Sequence, residues 1–133
     1  MYEFVVTVPA DTPKEEPVKV EALVHPGMVT FVSVEFPRGC HQMVHCIIVE
    51  GKYQLWPRNP EGTMASDAYV VEFSDFKELK KGHNLLDVYA WSPGSSYSHD
   101  LRVRITVLPK KVASMVPLIE IMTKLVSRLF GKV

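Results

Sequence analysis

The sequence predicts a mainly β fold: an antiparallel β-sandwich of immunoglobulin-like or jelly-roll type, about eight strands in all, followed by one C-terminal amphipathic α-helix. Three observations lead there. Apolar and polar residues alternate in short segments bounded by Gly, Pro, Asn and Asp, which is the pattern of half-buried strands. No strand pattern alternates with a helical one, which argues against a parallel α/β sheet. Beyond Pro109 the apolar period changes from that of a strand to that of a helix. Residues 1–109 are thus the predicted sandwich, and 110–133 carry the helix, packed on the sandwich or on a neighbouring subunit.

The first strand, "YEFVVTV", puts Tyr2, Phe4, Val6 and Val8 on one face. "VKVEALV" does the same with Val18, Val20, Ala22 and Val24 against Lys19 and Glu21, and the charged "PADTPKEEP" connects the two. His25, Pro26 and Gly27 turn the chain into "MVTFVSVEF", which Pro37, Arg38 and Gly39 end. "MVHCIIV" follows, and Gly51 with Lys52 makes a tight hairpin into "YQLW". Asn59, Pro60 and Gly62 give "PRNPEGTMASD" the chemistry of a long loop. The remaining strands are "AYVVEF", "LLDVYAW" and "LRVRITVL", separated by "SDFKELKKGHN" and "SPGSSYSHD". In the last of them Arg102 and Arg104 face water while Val103 and Ile105 face the core.

From Met115 to Phe130 the apolar residues Leu118, Ile121, Met122, Leu125 and Leu129 share a helical arc, opposite Glu120, Lys124 and Arg128. Ser114 caps the start, Pro117 falls within the first turn, and Gly131 stops the helix.

Composition bounds the function. The chain has 133 residues, 47% hydrophobic and 23% charged, the make-up of one ordinary globular domain. Lys and Arg number 15, equal to Asp and Glu, so net charge implies no attraction to nucleic acid. No apolar run reaches the roughly 18 residues of a membrane span. "MYEFVVTVPADTPKEEP" lacks the basic region and cleavage site of a secretory signal, so a cytoplasmic location is the expectation. The two cysteines, Cys40 and Cys46, would lie about 20 Å apart on an extended chain, too far for a disulfide, and are expected to be free thiols.

"CHQMVHC", Cys40 to Cys46, holds the densest set of metal-ligating residue types. On an extended strand His41, Met43 and His45 share one face, and a thioether between imidazoles would suit copper. The spacing argues against it, because His41 and His45 would stand roughly 13 Å apart and no C-x-x-C, H-x-H or H-E-x-x-H pattern is present. No cofactor is expected. Cys46 sits among Val44, Ile47 and Ile48, a setting that makes a thiol inert, and the adjacent Ser98, His99 and Asp100 cannot form a relay. Asp67, Asp75 and Asp87 read as turn formers and a solvent-facing strand residue. An enzyme is not expected.

Two surfaces remain. Trp56, Trp91 and Tyr97, with Arg58 and His99 nearby, would form a platform for a carbohydrate or peptide if their loops share one end of the sandwich. The competing reading makes each Trp a plug that closes the core. The second surface is the strand that follows Cys40, apolar on both faces, with Met43, His45, Ile47 and Val49 on the side that should be polar. Something must cover it, and the helix is the obvious candidate.

The leading expectation is therefore a non-enzymatic structural or protein-interaction module. It assembles as a homo-oligomer or with a partner protein through Met43, His45, Ile47 and the helix residues Leu118, Ile121, Met122, Leu125 and Leu129, as a shell, virion or appendage component would. Membrane-surface contact through the helix is disfavoured by its weak basic face.

Overall fold

The computed structural model describes residues 1–109 together with Met122, Lys124 and Leu125. Nine strands lie among the described residues: β1 (Tyr2–Val8), β2 (Val18–Leu23), β3 (Gly27–Phe36), β4 (His45–Glu50), β5 (Tyr53–Trp56), β6 (Met64–Ala65), β7 (Tyr69–Leu79), β8 (Leu85–Trp91) and β9 (His99–Leu108). They form two antiparallel sheets. One has the order β1-β9-β3-β7, and the other β2-β8-β4-β5 with β6 paired to the start of β4.

That order is a jelly roll. First and last strands are neighbours, and the chain changes sheet at each connection outside the β4–β5–β6 run. The immunoglobulin-like alternative is corrected by it, because an immunoglobulin sandwich keeps consecutive strands such as A and B in one sheet.

Alternation works as read from the sequence. The even residues of β1, β2 and β8 and the odd residues of β9 fill the space between the sheets, with Val6, Val8, Leu86, Val88, Val103 and Ile105 all at 0% exposure. Each such side chain contributes about 1.5–3 kcal/mol by leaving water. Arg102 and Arg104 lie on the outer face and pair with Glu3 and Glu35.

Strict alternation fails in β3. A β-bulge at Thr30 shifts the register of β3 against both neighbours, so Val29 and Val32, three residues apart, both point inward. β7 alternates regularly through Ser74 and Asp75 to Leu79, but with Asp75 and Lys77 inward and Phe76 outward, and for that inverted polarity the sequence pattern placed "SDFKEL" in a loop. The short strand β6 was hidden inside what read as loop, since a two-residue strand has no periodicity to detect.

Strands are the only elements of the described residues, and the expected C-terminal helix is not among them. It falls almost wholly outside those residues. Of that segment only Met122, Lys124 and Leu125 are described, with helical backbone and exposed side chains. Leu118, Ile121 and Leu129 lie outside the description.

Polar ties join the sheets at both edges. At one, the Tyr2 hydroxyl lies 2.6 Å from His25 Nδ1 and accepts from the His25 N–H. At the other, the buried Trp56 of β5 donates its indole N–H to Asp75 of β7 at 2.8 Å, and Arg58 donates to both oxygens of the same carboxylate. Partial burial alone would raise the Asp75 pKa, but the Trp56, Arg58 and Phe76 N–H bonds outweigh it and hold the carboxylate below its usual range.

Replacing Trp56 by Phe keeps the ring but removes this bond to a charged acceptor, and is expected to lower unfolding free energy by about 1.5–3 kcal/mol in urea titrations. Gly27→Ala would drive a Cβ into the carbonyl oxygen of Leu108 on β9, with an expected loss of about 1–3 kcal/mol in the same assay.

Candidate functional site

Strand registers place the connections 9–17, 37–44, 66–68 and 92–98 at one end of the sandwich, while 57–63 leaves β5 beside Ile48 and returns as β6 beside Cys46, along the edge of the five-stranded sheet. This end holds most of the candidate residues. Its geometry starts from the turn Cys40–Met43, closed by the Met43 N–H donating to the Cys40 carbonyl at 2.8 Å. His41 and Gln42 have φ of 48° and 61°, a left-handed pair that non-glycine residues adopt only when held there.

Asp67 holds them. Its carboxylate accepts the Gly39 N–H at 2.8 Å, and the N–H groups of His41 and Cys40 also point at it, making a cradle of backbone donors around one anion. The N–H groups of His41 and Gly39, with the His41 ring, keep the Asp67 pKa below its ordinary value.

The turn corrects the extended geometry expected for "CHQMVHC", because β4 begins only at His45. The three copper-ligand candidates consequently engage three different loops. His41 is exposed and faces Asp67 at 3.8 Å, Met43 lies beside Gly94, and His45 Nδ1 is 2.8 Å from Thr63 Oγ1. Among the described residues no group of three or more His, Cys, Asp or Glu is placed to hold a metal. Both thiols are buried and free, with burial pushing Cys40 up to about 11, helped by Asp67, and Cys46 up to about 12.

His45 is also part of the most organised cluster on the outer face of the five-stranded sheet. Its ring stacks on Trp91, its cross-strand neighbour, at 5.8 Å between centroids and 16° between planes. Lys14 Nζ sits 5.8 Å from the centre of the Trp91 ring. The lysine is brought there by the 9–17 connection, which is laced to the end of β8. The Ser92 N–H donates to the Thr12 carbonyl at 2.9 Å, the Ser92 hydroxyl to the Pro9 carbonyl at 2.8 Å, and the Gly94 N–H to Asp11 at 2.8 Å. Burial first, and then the Lys14 charge, lowers the His45 pKa from 6.5.

The aromatic platform does not assemble, because the segment after Trp56 runs along the sheet edge whereas 92–98 caps one end. Trp56 is 2% exposed and closes the core at the β5–β7 edge, while Trp91 is 6% exposed beneath Lys14. Only Tyr97, at 75%, is open to solvent. Arg58 is tied to Asp75, and His99 is buried with its Nδ1 3.5 Å from Ser95 Oγ. Strand alternation turns His99 inward and leaves the neighbouring Asp100 exposed, so this pair shares no site.

What the outer face does present is an apolar strip. Ile47 and Val49 are half-buried beside Tyr89 and Asp87, and Leu23 and Leu85 pair across strands at 63% and 43% exposure. Lys19, paired with Glu21 and Asp87, supplies charge along the β2 side. Lys14, Thr63 and Ser92 were not singled out in the sequence. No local signal marks them, since their partners lie tens of residues away and are met only through the sandwich.

No family profile matches the chain, and no curated protein matches it. Among solved structures it is similar to a de novo designed double-stranded β-helix, at 14% identity and a TM-score of 0.41 over 80% of this chain and 100% of that one. A Yersinia pseudotuberculosis-derived mitogen matches at 9% identity and a TM-score of 0.42, over 80% and 85% of the two chains. A structure described as "CBM4 structure and function" matches at 10% and 0.42, over 80% and 84%. At these scores the likenesses carry no argument about function.

A histidine whose pKa is lower folded than unfolded holds its full stabilisation above the unfolded value and loses it as pH falls through that value towards the folded one. Urea midpoints are therefore expected to drop as pH falls below about 6.5, with a smaller drop in His45→Gln. In the native protein neither thiol should react with Ellman's reagent at neutral pH, and both should react once it is unfolded.

Proposed function

We propose that the protein is a non-enzymatic interaction module that associates with a second copy of itself through the outer face of the five-stranded sheet. The observation that carries this reading is the apolar strip of Ile47, Val49, Leu23 and Leu85 on a face that would be polar in a solitary sandwich. Lys19 and Glu21 border it on the β2 side, and Asp87 of β8, between Val49 and Glu21, is paired with Lys19 at 3.8 Å. The Trp91–His45 stack beside it is held rigid by the laced 9–17 connection, so little ordering entropy is lost on contact.

Recognition of a carbohydrate or peptide by the loops would rest on Tyr97 alone, too small a surface for a stacking platform. Copper handling would require His41 and His45 to leave Asp67 and Thr63.

Light scattering coupled to size exclusion tests the proposal. The whole chain should elute at a multiple of its 15.0 kDa mass, and Leu85→Glu, at an exposed position, should elute nearer the protomer mass. A wild-type chain that stays monomeric as concentration rises would overturn it.

A further inference from the structure

At the opposite end of the sandwich, charged residues from both sheets point into the space between them. Glu50 ends β4 and continues the inward row of Cys46 and Ile48. Lys77 of β7 is the cross-strand partner of the inward-facing Val29. The two are half-buried and opposite in sign, yet they form no ion pair with each other. One Glu50 oxygen, Oε2, is buried without a hydrogen-bond partner. Such an atom is rare in a folded protein and calls for a partner, a bound group or a water.

The space they border is a cleft of about 260 Å³, lined by Glu50, Lys77, Glu78, Lys80 and His83. It adjoins a second of about 410 Å³, which shares Glu78 and Lys80 and adds Lys81. The wall carrying Lys80 and His83 is a tight turn, with the His83 N–H donating to the Lys80 carbonyl at 2.8 Å and Gly82 at a φ of 87°. Asn84 fixes that turn to Val24 through both its backbone and its side-chain amide. Lys77, Lys80 and His83 have no ion-pair partner among the described residues.

We propose that this cleft binds a small acid that also carries an ammonium or hydroxyl donor, such as an amino acid or a hydroxy acid. The acid group meets Lys77, Lys80 and His83, and the donor meets Glu50. A bare anion would leave Glu50 unpartnered beside added negative charge, and the lysines repel a free cation. A ligand with both groups satisfies both walls at once. The volume, just below the usual range for ligand cavities, limits it to a compound of a few heavy atoms.

Amide chemical shifts of the labelled protein, titrated at constant ionic strength with serine, lactate, propionate and propylamine, test this. Serine or lactate should move the amides of Glu50 and 77–83; a response to serine without one to lactate identifies the ammonium as the donor, and a response to lactate identifies the hydroxyl. Propionate and propylamine should not. Glu50→Gln and, in the exposed turn where the fold is undisturbed, Lys80→Met should each weaken the response at least tenfold. Silence towards both serine and lactate, equal binding of propionate, or undiminished binding in Lys80→Met would overturn the assignment.

Discussion

Outside the β4–β5–β6 run, each connection of the chain carries it from one sheet to the other, so hydrogen-bonded neighbours come from distant parts of the sequence. β1 pairs with β9 and β2 with β8, joining the first quarter of the described chain to the last. Almost no strand can satisfy its backbone by folding back on the preceding one. The ladders and the core between them form together, and loop-closure entropy is met only when both sheets exist. This constraint places four connections at one end of the molecule and thereby creates the clusters found there.

The consequences reach side chains of no local significance. Ser92 and Thr12 meet because β1 ends beside the start of β9, and their bonds carry Lys14 over Trp91. Asp67 meets the N–H groups of the Cys40–Met43 turn because β6 pairs with the start of β4. Asp75 reaches Trp56 because it lies on the inward row of β7, between Phe73 and Leu79, at the edge that faces β5. Each is a carboxylate or hydroxyl that satisfies donors from a segment it could not meet in an isolated hairpin.

The two ends are chemically different. At the loop-rich end the polar groups are mutually satisfied, the His45–Trp91 stack is closed beneath Lys14, and a contact surface lies alongside on the sheet. At the other, Glu50 and Lys77 face a shared cleft with their charges unpaired. Stability explains the first arrangement. An unpartnered buried oxygen lowers stability, so the second points to a ligand rather than to packing.

The apolar–polar period in the chain was enough to specify two-layered β structure, the inward residues of β1, β2 and β9, and the Gly51–Lys52 hairpin, because alternation is a local consequence of strand geometry. It also exposed the apolar outer row of β4, since Ile47 and Val49 break the expected polarity wherever the strand lies. It could not separate the jelly roll from the immunoglobulin order, which differ in pairing and not in pattern. Nor could it see the left-handed turn at His41 and Gln42, which contains no glycine and exists because Asp67 binds it. The period of the chain decided which residues are inside, while the crossing of the chain between sheets decided which of them meet.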